Sequence, residues 1–214
     1  MKILFVSSEL APLCQTGGLG DAVAGLASAL AKRGHEIVCA IPGYREVFRN
    51  SQMANAEQVN YSIEIPYGEG VLFGVFKQVE ISAGVQVLAL DLPSLYDREG
   101  LYGNEQGPFI DNALRFIALS RAAARWAPVN GVDVVVAHDH HGAMALCYLQ
   151  HNKEEDCQSI GRVQVVHNNA YQGRYPASTF ALTGLSADYF QPSHLEAYGS
   201  LCLLKGGLIA ADQI

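Results

Sequence analysis

The glycine-rich stretch "TGGLGD", residues 16–21, constrains the fold most, because it separates an apolar run from a helical pattern. Before it, "KILFVSSE" at 2–9 contains four consecutive large apolar residues, Ile3 to Val6, which predict a buried strand. After it, apolar residues recur at helical spacing as far as Gly34, a residue typical of a helix C-terminal cap. The glycines therefore lie in a strand-to-helix turn, where backbone N–H groups and the helix dipole favour an anion such as phosphate.

Two common phosphate-binding loops are excluded by the residues that follow the glycines. A P-loop ends in Gly-Lys-Ser/Thr, whereas Gly20 is followed by Asp21 and Ala22. A dinucleotide-binding turn requires an acidic residue at the end of the next strand, and "HEIVCAIPG" ends in Pro42 and Gly43. The turn is therefore a nucleotide or sugar-phosphate site of another kind, or a tight turn whose glycines serve geometry alone.

Composition indicates one large globular domain. The chain has 214 residues, of which 50% are hydrophobic and 16% are charged, so it can bury a sizeable core. Its formal net charge is -7, which argues against nucleic acid as a partner because no basic stripe is present to neutralise phosphates. Any anionic ligand must then be held by local dipoles and a few placed cations.

Cysteine usage and hydropathy predict a cytoplasmic protein that has no membrane partner. The five cysteines are scattered and form no C-x-x-C pair, so neither a disulfide framework nor a zinc site is indicated, and we expect buried or neutral thiols. The N-terminal apolar run is too short for a signal peptide, and no stretch approaches the roughly 18 apolar residues of a membrane span.

Strand and helix patterns alternate along most of the chain, which predicts an α/β fold with a doubly wound, mainly parallel, Rossmann-like sheet over residues 1–214. An antiparallel hairpin is inserted at 61–81, with its turn at 68–70. Further strands are expected at 85–93, 132–139 and 162–168, and helices at 109–127, 142–152 and 195–211. Because a new strand is due where the chain reaches Ile214, we expect this sequence to be part of a longer protein.

Polar clusters follow several predicted strands, and ligands of parallel sheets bind beyond the carboxyl ends of the strands. The clusters are "HDHHG" at 138–142, "HNN" at 167–169, and Asp91 with "YDR" at 96–98. We expect all of them to meet the glycine turn at one rim of the sheet.

Each polar cluster also has a structural interpretation. Asp139 is placed to cap the following helix, and His167 is compatible with a hydrogen-bonded, half-buried ring. A metal site formed by His138, Asp139 and His141 is disfavoured, because adjacent side chains in a strand point to opposite faces.

The sequence resembles the bacterial glycogen synthases and plant starch synthases. The resemblance rests on "MKILFVSSELAPLCQTGGLGD", "LYDREG", "DNALRFIALSRAAA", "VVVAHDHHGAMALCYL", "VVHNNAYQG" and "YGSLCLLKGGLIAADQI", which follow in the family's order and cover essentially the whole chain. It implies a retaining GT-B glycosyltransferase that moves glucose from ADP-glucose to an α-1,4-glucan. The chain would be the N-terminal Rossmann-like domain, inactive without a C-terminal domain, and would use no cofactor and no metal.

The resemblance also implies roles for individual residues. The glycine loop would bring backbone amides to phosphate or sugar oxygens, and the polar residues would hydrogen-bond sugar hydroxyls and stabilise an oxocarbenium-like transition state. The implied catalytic residues are Asp21, Asp139 and His167. The implied donor-binding and sugar-binding residues are Gln15, Gly17, Gly18, Tyr96, His141 and Asn168.

The chain departs from the family pattern at three positions of these motifs. Gln15 stands where the family has lysine and cannot supply a cation to the ADP phosphates; His140 replaces a tryptophan, and Asn169 replaces an apolar residue. A second hypothesis is therefore a non-catalytic glucan-binding or regulatory module. A third, suggested by the Asp-His-His sequence at 139–141, is a metal phosphoesterase, but 5–12 lacks the aspartates that this class requires.

Overall fold

A computed structural model describes residues 1–67 and 70–214 and contains one seven-stranded sheet in the order β3-β4-β5-β2-β1-β8-β9. Strands β5, β2, β1, β8 and β9 are parallel, and β3 and β4 are antiparallel to their neighbours. The strands of this sheet are β1 (Lys2–Val6), β2 (Glu36–Pro42), β3 (Glu57–Tyr67), β4 (Gly70–Ser82), β5 (Val85–Asp91), β8 (Val134–His138) and β9 (Gly161–Val165).

Short strands and helices complete the fold. Two ribbons lie outside the main sheet, one formed by β6 (Gly103–Asn104) and β7 (Gly107–Pro108), the other by β10 (Arg174–Pro176), β11 (Glu196–Ala197) and β12 (Ser200–Cys202). The helices are α1 (Gly18–Ala31), α2 (Arg45–Arg49), α3 (Pro93–Tyr96), α4 (Asn112–Val129), α5 (Asp139–His151), α6 (Glu155–Gln158) and α7 (Leu203–Ala210). Among the described residues, no helix is long and apolar enough to cross a membrane.

The doubly wound arrangement follows from the handedness of the crossovers. The chain moves from β1 through α1 to β2 on one side, and from β8 through α5 to β9 on the other. Since parallel crossovers are right-handed, α1 lies on one face of the sheet and α5 on the opposite face, where α4 packs against it. The strand order reverses between β1 and β8, and ligands of such sheets bind at this switch point. The predicted α/β fold is confirmed.

The first predicted strand and helix are both present. Residues Ile3 to Val6 are buried on both faces of β1, as expected for a central parallel strand. Helix α1 begins at Gly18, and Gly34 beyond its end has a φ of +87°, the left-handed conformation of a C-terminal cap. The helix buries only a narrow face, formed by Gly20, Val23 and Ala27, and Leu26 remains 38% exposed.

The inserted hairpin is present as β3 and β4, whose register pairs Ile63 with Gly74. Ile63, Ile65 and Phe76 are fully buried and attach the hairpin to the core. The turn predicted at 68–70 includes residues 68 and 69, which lie outside the described residues.

Two predicted helices begin later than expected. The helix predicted at 109–127 begins at Asn112 and leaves Ile110 fully exposed. The helix predicted at 195–211 is shortened to α7, because Tyr198 and Gly199 have φ values of +51° and +76° and form the turn between β11 and β12. After α7, Gln213 forms an isolated parallel bridge to Val163 of β9.

Arg115 of α4 anchors the segment that connects β5 to α4. Its guanidinium is fully buried, donates to the carbonyls of Leu95 (2.9 Å) and Leu101 (2.7 Å) and to Asn112 Oδ1 (2.7 Å), and lies over the Phe109 ring. Burial lowers the pKa of this arginine. A planar fork with several fixed donors is needed to reach acceptors from different turns of the segment.

We predict that Arg115→Lys lowers the free energy of unfolding by about 2 kcal/mol or more, because a single ammonium cannot replace the fork and leaves buried carbonyls without donors. Chemical denaturation followed by circular dichroism measures this change. The matched control is Arg33→Lys at the exposed end of α1, which should leave stability unchanged. Equal stability of the two variants would contradict the anchoring role.

Candidate functional site

A cavity of about 820 Å³ opens at the carboxyl ends of β1, β8 and β9, at the switch point of the sheet. Its walls come from the β1–α1 loop, the segment before α4, the first turn of α5 and the loop after β9. The lining residues are Glu9, Thr16, Gly17, Gly18, Leu19, Tyr102, Gly103, Pro108, Asn112, Phe116, Asp139, His140, His141, His167, Asn168, Tyr171 and Tyr175.

Close packing at Gly142 brings the first turn of α5 to this cavity. A Cβ atom at Gly142 would lie 2.3 Å from the carbonyl oxygen of Val6, so only glycine lets α5 approach β1 this closely. The buried Gln164 amide of β9 also holds this turn in place. Its Nε2 donates to the carbonyls of Ala137 (3.2 Å) and Asp139 (3.1 Å). The sequence 138–141 is thereby fixed at the rim.

Asp139 supports the loop after β9 and does not cap α5. Its φ is +51°, a left-handed conformation that aspartate tolerates better than most residues. Its Oδ1 accepts hydrogen bonds from the backbone N–H groups of His167 (2.7 Å) and Asn168 (3.3 Å). The N-cap of α5 is His138, without a side-chain capping bond, so the helix-cap interpretation of Asp139 is wrong.

His138 and His167 form a hydrogen-bonded imidazole pair. The His138 Nδ1 and His167 Nε2 atoms are 2.9 Å apart, and one of them carries the shared proton. His138 is fully buried, and the Phe5 ring packs edge-on against it. Burial, reinforced by His167, lowers the pKa of His138 to about 3, so this ring is neutral near pH 7.

His140 and His141 are also held as neutral rings. The Nδ1 of His140 lies 3.0 Å from the carbonyl oxygen of Tyr171; because a carbonyl only accepts, this nitrogen is the donor. The His141 ring stacks on Tyr102 at 5.2 Å and meets the Phe116 ring edge-on at 4.6 Å. Burial lowers the pKa of both histidines, so they offer hydrogen bonds but no positive charge near neutral pH.

The carboxylate of Glu9 binds the glycine turn from its buried side. Its carboxylate accepts hydrogen bonds from Thr16 N (3.0 Å), Thr16 Oγ1 (2.9 Å), Gly17 N (3.4 Å) and the Tyr102 hydroxyl (2.7 Å). Burial raises the pKa of Tyr102, which keeps that hydroxyl protonated and able to donate.

The structure brings together six of the nine predicted site residues. Gly17, Gly18, Asp139, His141, His167 and Asn168 all line the cavity. Gln15, on the β1–α1 loop, and Asp21, in the first turn of α1, are exposed and are not among the residues that line the cavity. The Gln15 side chain packs against Gly20 instead.

Tyr96 does not reach the cavity. It is fully buried, and its hydroxyl donates to the carbonyl oxygen of Arg115 at 2.6 Å. The other members of its cluster form ion pairs, Asp91 with Lys77 and Arg98 with Asp111. The prediction that this cluster meets the others is wrong, because β2 separates β5 from β1.

Sequence reasoning missed most of the aromatic wall and the buried carboxylate. Tyr102, Phe116, Tyr171 and Tyr175 line the cavity, and Glu9 lies at its floor. Phe116 and Tyr171 belong to motifs that were singled out, and Glu9 lies three residues after the apolar run of β1. The position of Glu9 at the carboxyl end of a central strand was the signal available for it.

The charge of the cavity is its most informative property. Among the residues that line it in the described part of the chain, none is lysine or arginine, and two are carboxylates, Glu9 and Asp139. The neutral imidazoles of His140 and His141, together with amides, hydroxyls and aromatic rings, make up most of the remaining functional groups. Such a wall suits an uncharged ligand rich in hydroxyl groups better than a free phosphate.

The chain is similar in sequence to proteins of one known family. Residues 2–214 match the family model described as "Starch synthase catalytic domain". The chain is 40% identical over 226 residues to a glycogen synthase of Cereibacter sphaeroides and 35% identical over 220 residues to one of Desulfatibacillum aliphaticivorans. All of the chain is covered in both comparisons, but it spans only 44% of the length of either relative.

A solved structure shares the fold. The catalytic domain of starch synthase IV from Arabidopsis thaliana, bound to ADP and acarbose, superposes with a TM-score of 0.80 at 24% identity. The superposition covers 98% of this chain and 43% of the starch synthase chain.

We predict that the protein loses stability as the pH falls from about 6.5 towards about 3, the window between the ordinary pKa of His138 and its pKa in the fold. The unfolded state binds more protons in this window, so protonation favours unfolding by at most about 1.4 kcal/mol per pH unit for each such histidine. Denaturant titrations between pH 7 and pH 4 measure the slope.

The variant His138→Asn should show a smaller slope, since asparagine does not titrate. His151→Asn, at the exposed end of α5, is the matched control for replacing a histidine by asparagine. Identical slopes for His138→Asn and the unmodified protein would contradict a buried neutral ring.

Proposed function

We propose, for a chain that belongs to the starch synthase catalytic-domain family, that it forms the acceptor-side half of a retaining glucosyltransferase. The reaction transfers glucose from ADP-glucose to the non-reducing end of an α-1,4-glucan. The observation that carries this proposal is the cavity at the switch point, whose neutral hydrogen-bonding groups and four aromatic rings suit a sugar. The names of the relatives and the ligands of the starch synthase IV structure support the choice of glucan and nucleotide.

Five of the predicted residues have parts that follow from their positions. His141, His167 and Asn168 offer hydrogen bonds to sugar hydroxyls from two walls of the cavity. The Asp139 carboxylate lies between these walls and stabilises positive charge that develops on the glucose ring in an oxocarbenium-like transition state. Asp21, on the exposed first turn of α1, contacts the part of a ligand that extends beyond the cavity.

The donor phosphates require charge that this cavity does not supply. Gln15 has no charge, and no lysine or arginine is among the described residues that line the cavity. Because the chain spans 44% of its relatives, we propose that a C-terminal domain of the full-length protein closes the cleft and neutralises the phosphates. By this account the isolated chain binds sugar but does not transfer glucose.

The lack of lysine and arginine among the described residues that line the cavity also favours a second candidate, a glucan-binding module without catalysis. This alternative differs from the enzymatic proposal only in that ADP-glucose is not used as a glucose donor. A metal phosphoesterase is not proposed, because the three side chains of the Asp-His-His sequence are engaged separately: Asp139 accepts from backbone amides, His140 donates to the Tyr171 carbonyl, and His141 stacks on Tyr102. That no metal binds tightly stays a prediction, which elemental analysis of the purified chain can check.

We predict glucose transfer by a chimera in which this chain replaces the aligned part of the Cereibacter sphaeroides glycogen synthase. Incorporation of labelled glucose from ADP-glucose into glycogen measures it, beside the isolated chain, which should be inactive. Asp139→Asn should reduce turnover by about a hundredfold or more, since asparagine keeps the left-handed backbone and the acceptor oxygen but loses the charge.

A chimera that folds and binds glucan without transferring glucose would contradict the enzymatic proposal and favour the binding module. Folding is checked by circular dichroism, and glucan binding by affinity electrophoresis. Turnover by the isolated chain comparable to that of the chimera would contradict the need for a second domain.

We predict further that Gln15→Lys in the active chimera improves the apparent affinity for ADP-glucose by about tenfold to a hundredfold, the value of a charge-assisted hydrogen bond to phosphate. Gln15→Met is the matched control, because it has a similar length and no charge. An unchanged KM for the lysine variant would show that the phosphates are neutralised entirely from the other domain.

A further inference from the structure

The Glu9 carboxylate is buried in a site made for an anion. Glu9 is only 3% exposed, and each of its two carboxylate oxygens accepts two hydrogen bonds. All four donors are neutral: two backbone N–H groups, from Thr16 and Gly17, and the hydroxyls of Thr16 and Tyr102. Several neutral donors converging beside the N-terminus of a 14-residue helix form the type of site that binds phosphates and carboxylates.

The Glu9 carboxylate takes up amides of the glycine turn that a ligand phosphate would need. The turn was expected to present its amides to a ligand phosphate, but the amides of Thr16 and Gly17 already bind the chain's own carboxylate. A ligand phosphate near Glu9 would also meet a like charge, which is unfavourable at a buried position.

Glu9 also connects three walls of the cavity. Its Oε1 holds the Tyr102 hydroxyl, which lies 2.7 Å from Ser8 Oγ as well. The Tyr102 ring stacks on His141 at the start of α5. The carboxylate therefore ties the β1–α1 loop to the segment before α4, and through Tyr102 to α5.

We propose that Glu9 is a positioning residue, an internal anion that holds the Thr16–Gly17 turn and Tyr102 in the arrangement that shapes the cavity. The amides of Thr16 and Gly17 are thereby withheld from ligands. Glu9 acts in this way on the chain itself, whichever sugar or nucleotide the cavity accepts.

The experiment removes the internal anion and supplies one from solution. In Glu9→Ala, hydrogen exchange at the Thr16 and Gly17 amides, followed by NMR, should accelerate by about tenfold to a hundredfold, the value of hydrogen bonds to a charged acceptor. Sodium acetate should restore protection at these two amides, and acetamide, which has the same shape and no charge, should not. Sodium chloride at equal ionic strength is the control for general salt effects.

Glu9→Gln distinguishes the charge from the packing. Glutamine fills the space, its carbonyl oxygen can accept from the two amides, and its NH₂ group can donate to the hydroxyls of Thr16 and Tyr102. Because the charge is lost, protection should fall, though by less than in Glu9→Ala, and acetate should not restore it. A packing role predicts the opposite result, with Glu9→Gln protected like the original protein. Either that result or equal rescue of Glu9→Ala by acetate and acetamide would overturn the proposal.

A thermal measurement covers the case in which Glu9→Ala is too unstable for exchange experiments. The midpoint of its thermal unfolding should then rise with acetate and not with acetamide, whereas the original protein, whose site is filled, should respond equally to both. An equal response of the variant to acetate and acetamide would overturn the proposal in this format too.

Discussion

The close approach of α5 to β1 at Gly142 is the constraint on which the site depends. With a Cβ position only 2.3 Å from the Val6 carbonyl oxygen, any other residue would push the helix away from the strand. The approach places His138 to His141 directly across from Ser7 to Glu9, at the point where the strand order reverses. The cavity is therefore a consequence of backbone packing in the core, and its walls inherit the rigidity of the sheet.

A second consequence is electrostatic. The buried rings of His138, at the end of β8, and of His140 and His141, in the first turn of α5, are neutral because burial lowers the pKa of all three. The two carboxylates of the wall, Glu9 and Asp139, are held by N–H and O–H groups of the chain. The site therefore combines negative charge with neutral donors, which fits stabilisation of a positively charged sugar ring and fits phosphate binding poorly.

The sequence predicted the architecture well because hydrophobic periodicity depends on local pattern alone. The strand at Ile3 to Val6, the helix after the glycine turn and the edge hairpin are all present. The helix predicted at 195–211 was wrong in its first half, because the left-handed conformations of Tyr198 and Gly199 are set by the pairing of β11 with β12 and leave no mark on the apolar pattern.

The candidate site was less predictable because local pattern does not show which distant segments of the chain meet. Residues adjacent to the central strands, such as Asp139 and Asn168, were found from their position at strand ends. Tyr102 and Tyr175 come from ribbons that fold back over the rim, and that long-range placement cannot be read from local pattern. Tyr96 was misplaced because its strand lies two positions away from β1, an order that tertiary structure alone determines.

The central claim is that the cavity binds sugar through neutral groups, and calorimetric titration of the chain with maltoheptaose at low and high sodium chloride tests it most directly. The account predicts saturable binding whose dissociation constant changes by less than about twofold between 0.05 M and 0.5 M salt, because no charge pairing contributes. No detectable binding, or binding that weakens steeply with salt, would contradict it.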